Sequence, residues 1–423
     1  MKVRINKLNA KETLYTVILF ILSLFHPIFG VIFYVGLLKL VVDNAVEGAI
    51  KYIIMISLRD LLSIKVGVSL ASLNTVKLMI FIALSLYIVY MSFNCKIKKK
   101  NFRIIVSCTI FCSATIIFSF FTGSYPITSA FKCISFGIVF CSMITGITTT
   151  KKKIDWREYL VKVLTPIFIM SFLVIPFSSF RLLNDNFQGI FNHVNVCGIM
   201  CTVYISCLLL NKPRDTKKLL MQILQILLTL IMQYLTASRT GMLVSLIVIF
   251  TSFIFNHHSK IIYITIIFIT FSCFTIYIFN DNVHDLVNNT ITEYIYKGNE
   301  NDILASRRST QEIALDKYEK NPLVGSGFMT PYKEGYIDYS LKMSLNVEPG
   351  SIIWSLFGDV GIIGTILFIV FIITIAASGY LQNIYLMFCV FGICSGEMLF
   401  FSVNNSISTI LYLLLACYIS YKE

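Results

Sequence analysis

The side chains that can do chemistry in this sequence stand in a few short polar stretches between long apolar runs. Arg239 sits in Ser238-Arg239-Thr240-Gly241, a tight turn between two such runs, with no carboxylate within ten residues along the chain. A guanidinium at the boundary of an apolar phase costs roughly 3 kcal/mol or more unless paired or solvated, so it reads either as an anion-binding group or as a side chain snorkelling to headgroups. Arg307 and Arg308 in Ser306-Arg307-Arg308-Ser309 form the second basic element. Adjacent arginines grip a phosphate or diphosphate bidentately, or simply lie on a solvated helix face. Glu348 precedes Pro349 and an apolar run, which puts it near a helix N-cap where the dipole favours its charged form. There it either takes a proton from a hydroxyl or serves only as a cap. The stretch Gly189-Ile-Phe-Asn192-His193-Val-Asn195-Val-Cys-Gly198 opens another run, with Asn192 as its expected N-cap and His193 and Asn195 beside it. A helix start of this kind suits an anion or a sugar, and capping alone also explains it. Arg181, Glu397 and Asn404 complete the candidates for holding hydroxyl-rich ligands. Gly325 and Gly327 would let backbone approach a ligand closely, but lack the strand context of a nucleotide-binding fingerprint.

These groups need elements to position them, and composition says what kind. Of 423 residues, 57% are hydrophobic and 13% charged, about half the charge of a soluble domain. The apolar residues fall in blocks long enough to cross a hydrocarbon core about 30 Å thick, so the chain reads as all-α and polytopic. The net charge of +13 is concentrated in short loops, at Lys96–Arg103, Lys151–Arg157 and Lys212–Lys218, a topology signal that argues against nucleic acid as a partner. With those loops cytoplasmic, expected spans lie at 75–93, 102–121, 126–148, 158–178, 193–211, 217–236, 239–255, 260–280, 350–374, 381–400 and 404–420. The region 13–58 then holds one long crossing or three short ones. One is preferred because fifteen residues are few for a span, giving about 12 spans rather than 14. The first basic segment precedes no small-residue cleavage site and reads as an uncleaved first span, with both termini in the cytoplasm.

The expected organisation is a transmembrane bundle over 1–280, an extracytoplasmic loop over 281–349 and C-terminal spans over 350–423. Within the loop, 282–299 and 304–320 look helical, the second with Ile313, Leu315 and Tyr318 as apolar positions. The loop carries eleven acids against seven bases, in keeping with an outer location on a basic protein. Eleven of the twelve cysteines lie inside apolar runs and Cys95 sits beside a basic loop. They read as packing residues, and no CxxC or Cys/His spacing suggests a metal. No cofactor is expected.

Gly189-Ile-Phe-Asn-His193-Val-Asn195, Ser238-Arg239-Thr240-Gly241, and Asn321-Pro322-Leu-Val-Gly325-Ser-Gly327-Phe328 followed by Gly361-Ile-Ile-Gly364 occur in that order and spacing. Together they resemble the O-antigen ligase and O-antigen polymerase superfamily of bacterial membrane glycosyltransferases, over about 189–364. The resemblance implies a helical fold in the bacterial cytoplasmic membrane with a large outer loop over the active site. It also implies metal-independent, inverting transfer of a glycan from a polyprenyl diphosphate to an acceptor hydroxyl. It assigns Arg239, with Arg307 or Arg308, to the diphosphate. Ligases of the family carry a histidine where the loop returns to the membrane, whereas this chain has Glu348 there and no histidine in 285–423. That favours a repeat-unit polymerase with Glu348 as base, making O-antigen, capsule or exopolysaccharide. The alternatives are a surface-polysaccharide ligase and a flippase or exporter that moves the same substrates without chemistry. Expected partners are lipid-linked oligosaccharides, membrane lipids, a chain-length regulator and a flippase.

Overall fold

The computed structural model describes residues 8–94, 98–177, 179, 186–211, 215–256, 308–330 and 350–422. Among these the chain is helical, with no strand beyond an isolated bridge between Leu62 and Phe191. The helices are α1 Leu8–Leu22, α2 Pro27–Asp60, α3 Asn74–Phe93, α4 Lys99–Thr122, α5 Pro126–Thr150, α6 Trp156–Leu173 and α7 Val194–Leu210. They continue as α8 Thr216–Leu235, α9 Arg239–Asn256, α10 Arg308–Lys320, α11 Ile352–Ser378, α12 Tyr385–Gly396 and α13 Ser406–Ser420. Six helical stretches among the described residues are long and apolar enough to cross a membrane: Pro27–Asp60, Ala71–Phe93, Lys99–Thr122, Pro126–Thr150, Thr216–Leu235 and Ile352–Ser378. Shorter apolar helices occupy Val194–Leu210, Arg239–Phe255, Leu381–Gly396 and Ser406–Ser420, where further spans were expected. This is a membrane protein. The expected span 260–280 and the expected helix 282–299 lie outside the described residues.

The region 13–58 differs from the single long crossing preferred above. Besides α1, it contains a helix broken at Ala45, whose φ of 51° and ψ of −122° are not helical. The Tyr52 hydroxyl donates to the Tyr34 carbonyl, a pair that a straight helix would hold about 27 Å apart. Residues 27–44 and 46–60 therefore fold back on each other, and with α1 they form three runs. Glu12 ties the three together, its carboxylate accepting from Asn44 and from Lys51 at 3.2 and 2.6 Å.

Two helices form the centre. Every residue of α13 is buried, and α7 is buried nearly throughout; both are apolar on all sides, the pattern of a helix with no lipid- or water-facing stripe. At one end of the bundle the basic residues gather. Lys100 donates to the carbonyls of Ser378 and Ile419, Lys151 donates to that of Ser420, and Arg157 stacks over the Tyr421 ring at 4.6 Å. Cations there meet the C-terminal carbonyls of α11 and α13, the favourable pole of each helix.

The opposite end is organised by the segment 321–330. α11 breaks at Gly361, where φ is 65°. A break inside a membrane helix frees backbone groups that must find partners. Here the segment supplies them: Ser326 and Gly327 donate to the carbonyls of Gly358 and Asp359, while the amides of Ile362 and Ile363 donate to Pro322 and Leu323. Gly325 and Gly361 meet backbone to backbone, so a side chain at either would collide with the other strand of the contact. Gly325 thus serves packing against α11, which accounts for it without a ligand, while a side chain at Gly327 would meet Thr330 of its own segment. Phe328 plugs the segment into a cluster of rings with Phe111, Phe136 and Phe401, at centroid distances of 6.4, 6.4 and 4.9 Å.

A buried ion pair fixes the same segment. Lys317 on α10 reaches Asp359 Oδ1 and the Thr330 carbonyl, both at 2.6 Å, and Asp359 Oδ2 accepts from Ser355 and from the Met329 amide. Ala314 and Lys317, not Leu315, form the buried face of α10; Leu315 is exposed, and Tyr318 lies edge-on to Phe357.

Candidate functional site

The site lies at the end away from the basic loops and is built from three separated segments. The first is the start of α7. His193 is its N-cap, with extended backbone and Nδ1 accepting from the Asn195 amide at 3.1 Å, in place of the Asn192 cap expected from sequence. Asn192 instead ties this segment to the end of α2: its amide donates to Leu61 O at 2.9 Å and its side chain to Asp60 O at 3.4 Å. Asn195, now turned outward on the first helical turn, donates to Glu397 Oε1 at 3.1 Å. Two residues singled out separately, 202 positions apart, meet directly.

The second segment is the turn 236–238 leading into α9. Ala237 takes a left-handed φ of 49°, which reverses the chain between α8 and α9. Ser238 packs so tightly on Gly198 that no side chain fits there, and Thr240 packs likewise on Gly396. Arg239 is the first residue of α9, half-buried, flanked by those two contacts. Beneath it, the buried Gln233 side chain donates to Gly198 O at 3.0 Å and Thr202 Oγ1 at 2.9 Å. Thr202 in turn donates to Gly241 O at 3.0 Å, and Ser245 donates to Thr202 at 2.9 Å. This polar stack locks α7, α8 and α9 together under the arginine.

The third segment, 397–405, links α12 to α13. Its first residue, Glu397, receives Asn195 and follows Gly396, which receives Thr240. Its far end meets Lys77, which is 2% exposed and donates to Asn404 O and to Asp60 Oδ2, both at 2.8 Å. Ser406 donates to the same Asp60 oxygen at 2.6 Å. Asn404 therefore faces this ion pair through its carbonyl, at the other end of the segment from Glu397.

The structure gathers His193, Asn195 and Glu397, with the Arg239 turn packed against the residue before Glu397. Glu348, Arg307 and Arg181 lie outside the described residues, as does the side chain of Arg308, whose backbone opens α10. The cap assigned to Glu348 belongs to Ser351, whose hydroxyl accepts from the Ile353 amide at 3.3 Å. Sequence reasoning passed over Asp60, Lys77 and Ser406. The signal was present: Arg59, Lys65 and Lys77 are basic residues in a region assigned to the face away from the basic loops. The described cysteines are all free, and no group of metal-ligating side chains occurs among the described residues.

Chemically, the arrangement offers a guanidinium and two helix N-termini, those of α7 and α9, at one edge, with amide and carboxylate groups next to them. That combination suits a ligand carrying both an anionic and a hydroxyl-rich part. No curated protein matches the chain. Residues 224–369, which include the Arg239 turn, the 321–330 segment and the break in α11, match the family model described as O-antigen ligase, and this match supports the chain's membership of the O-antigen ligase and polymerase superfamily.

Proposed function

We propose that the protein is a polymerase that joins polyprenyl-diphosphate-linked oligosaccharide repeats at the outer face of the bacterial cytoplasmic membrane. The observation that carries this reading is the meeting of the Arg239 turn, the His193–Asn195 helix start and Glu397 at the end of the bundle opposite the basic loops. The hydroxyl at the non-reducing end of one repeat attacks the anomeric carbon of another, inverting it. The C–O bond to the diphosphate breaks, and the diphosphate leaves as an anion. Arg239, with Arg307 or Arg308, neutralises that anion, a contribution often worth several kcal/mol in a site with preorganised charge. Glu348 receives the hydroxyl proton. Three runs in 13–58 support the 14-span arrangement, with 281–349 outside and both termini in the cytoplasm.

A ligase is the second reading, favoured by the description of the matching family; the absence of any histidine in 285–423 supports the polymerase instead. The test is purified protein in liposomes supplied with lipid-linked repeats. A ladder of polymers that disappears in Arg239→Ala, at normal protein levels, is the expected result. Transfer of finished polymer to a lipid acceptor would mean a ligase, movement across the bilayer without any ladder a transporter, and an unchanged ladder from Arg239→Ala would end the proposed role of that residue.

A further inference from the structure

We propose that Asp60 forms a second subsite, binding a hydroxyl of the acceptor sugar through its open carboxylate oxygen; this rests on the transferase reading above. The Asp60 side chain is 28% exposed, while its partner Lys77 is 3% exposed. One oxygen, Oδ2, takes both Lys77 and Ser406, at 2.8 and 2.6 Å. The other, Oδ1, has no partner among the described residues. The cation and the serine hydroxyl hold the carboxylate at one oxygen and leave the other as a bare acceptor. Asp60 itself ends α2, and its backbone carbonyl takes the exposed Asn192 side chain, whose amide and carbonyl lie at the same rim. A rigid carboxylate beside a carboxamide is a common way to hold sugar hydroxyls, because a hydrogen bond to a charged acceptor is stronger than one between neutral groups.

Placement ties this subsite to the anion-binding edge. The segment 397–405 touches the Arg239 turn and Asn195 at its first residues and Lys77 at Asn404. On the other side, Asn192 and Asn195 lie three residues apart, one on Asp60 and one on Glu397. The two edges are thus opposite ends of one short polar rim. A donor diphosphate at Arg239 and an acceptor hydroxyl at Asp60 lie on the same face of the molecule, as a reaction between two lipid-linked chains requires. Lys77 is a positioning residue in this account, and Asp60 a specificity-determining one.

The test separates acceptor binding from both folding and donor binding. Asp60→Asn keeps the shape, and its amide oxygen still accepts from Lys77 and Ser406, but a donor N–H replaces the open acceptor. With lipid-linked repeats as donor and the free oligosaccharide released from them by mild acid as acceptor, the expected result is an acceptor KM raised about tenfold or more, with donor KM unchanged. Acceptor analogues lacking one hydroxyl at a time should identify one whose penalty in the wild type vanishes in Asp60→Asn, which a merely structural role would not produce. If Asp60→Asn does not fold, Asp60→Glu keeps the ion pair while displacing the oxygen, and the same rise in acceptor KM is expected. An unchanged acceptor KM in whichever folded variant is used overturns the proposal. A wild type that builds no polymer, yet binds the free oligosaccharide in titration more tightly than Asp60→Asn, would overturn the transferase reading and leave the subsite standing.

Discussion

Replacing Lys317 with Met should release the 321–330 segment without unfolding the bundle. Lys317 and Asp359 are 7% and 4% exposed at their side chains and 2.6 Å apart. Removing one partner of such a pair strands the other charge in a dry site, which typically costs about 3–5 kcal/mol. The stranded Asp359 would keep the Ser355 hydroxyl and the Met329 amide, so the lower part of that range applies. The loss is local, because this pair and four backbone hydrogen bonds hold α10 and the segment to α11, while Phe328 anchors the segment among the rings of α4 and α5. The measurement is hydrogen exchange in lipid nanodiscs, read peptide by peptide. Protection over 321–330 should fall by roughly two orders of magnitude or more for a local loss of about 3 kcal/mol, while α7 and α13 keep theirs. Lys317→Met with Asp359→Leu removes both charges and should recover most of that protection, since replacing a whole buried pair by apolar groups is often neutral. Full wild-type protection in the single variant would show that the pair does not hold the segment. A double variant worse than the single would show that Asp359 acts through something other than Lys317.

Two further outcomes follow from the polar contacts under and beside Arg239. Gln233→Glu should damage activity more than Gln233→Leu, because a carboxylate would place an oxygen against the Gly198 carbonyl where the amide now donates. Leu only leaves acceptors unsatisfied, at about 1–3 kcal/mol, and thermal melts of both variants with polymer yield check the order. Asn195→Asp puts a second carboxylate within hydrogen-bond distance of Glu397. Two acids so close resist double ionisation, so the variant should be impaired at neutral pH and regain activity as pH falls and they share a proton. A pH profile parallel to that of the wild type would count against a working contact between 195 and 397.

Much of the fold was legible because membrane helices announce themselves locally. The spans 75–93, 102–121 and 126–148 fall within a few residues of α3, α4 and α5, since a run of apolar residues between basic loops has few alternatives. The α2 hairpin was not legible. Gly48 lets the two arms approach at Leu40, but no proline or glycine stands at Ala45 itself, and its reversal depends on tertiary contacts such as Tyr52 on Tyr34 and Glu12 on Lys51. The capping errors have a similar origin. Asn192 is the better cap by propensity, but its side chain is drawn off to Asp60, and the imidazole one residue later takes its place.

The site was legible in part for the same reason. His193, Asn195, Arg239 and Glu397 each stand out as polar groups where apolar ones are expected, and that anomaly is visible without knowing the partner. Asp60 and Lys77 lie 17 residues apart, and Ser406, which shares the same Asp60 oxygen, lies 346 residues from Asp60. Each alone looks like an ordinary helix-end charge, so only coordinates reveal the cluster. Gly325 misled because close backbone approach was read as approach to a ligand, when a broken helix has the same need.

Helix poles bear differently on the cations at the two ends of the bundle. Lys100 and Lys151 donate to the C-terminal carbonyls of α11 and α13, where the dipole welcomes a cation, although Lys100 itself lies in the first turn of α4. Arg239 opens α9, where the dipole opposes one, by roughly 0.3–1 kcal/mol at an exposed site. Arg239→Gln is expected to abolish polymer synthesis with far less effect on the melting temperature in detergent, the signature of a group whose charge serves the ligand. A marked fall in melting temperature with the same substitution would assign the guanidinium to holding the fold, and the diphosphate would need another cation.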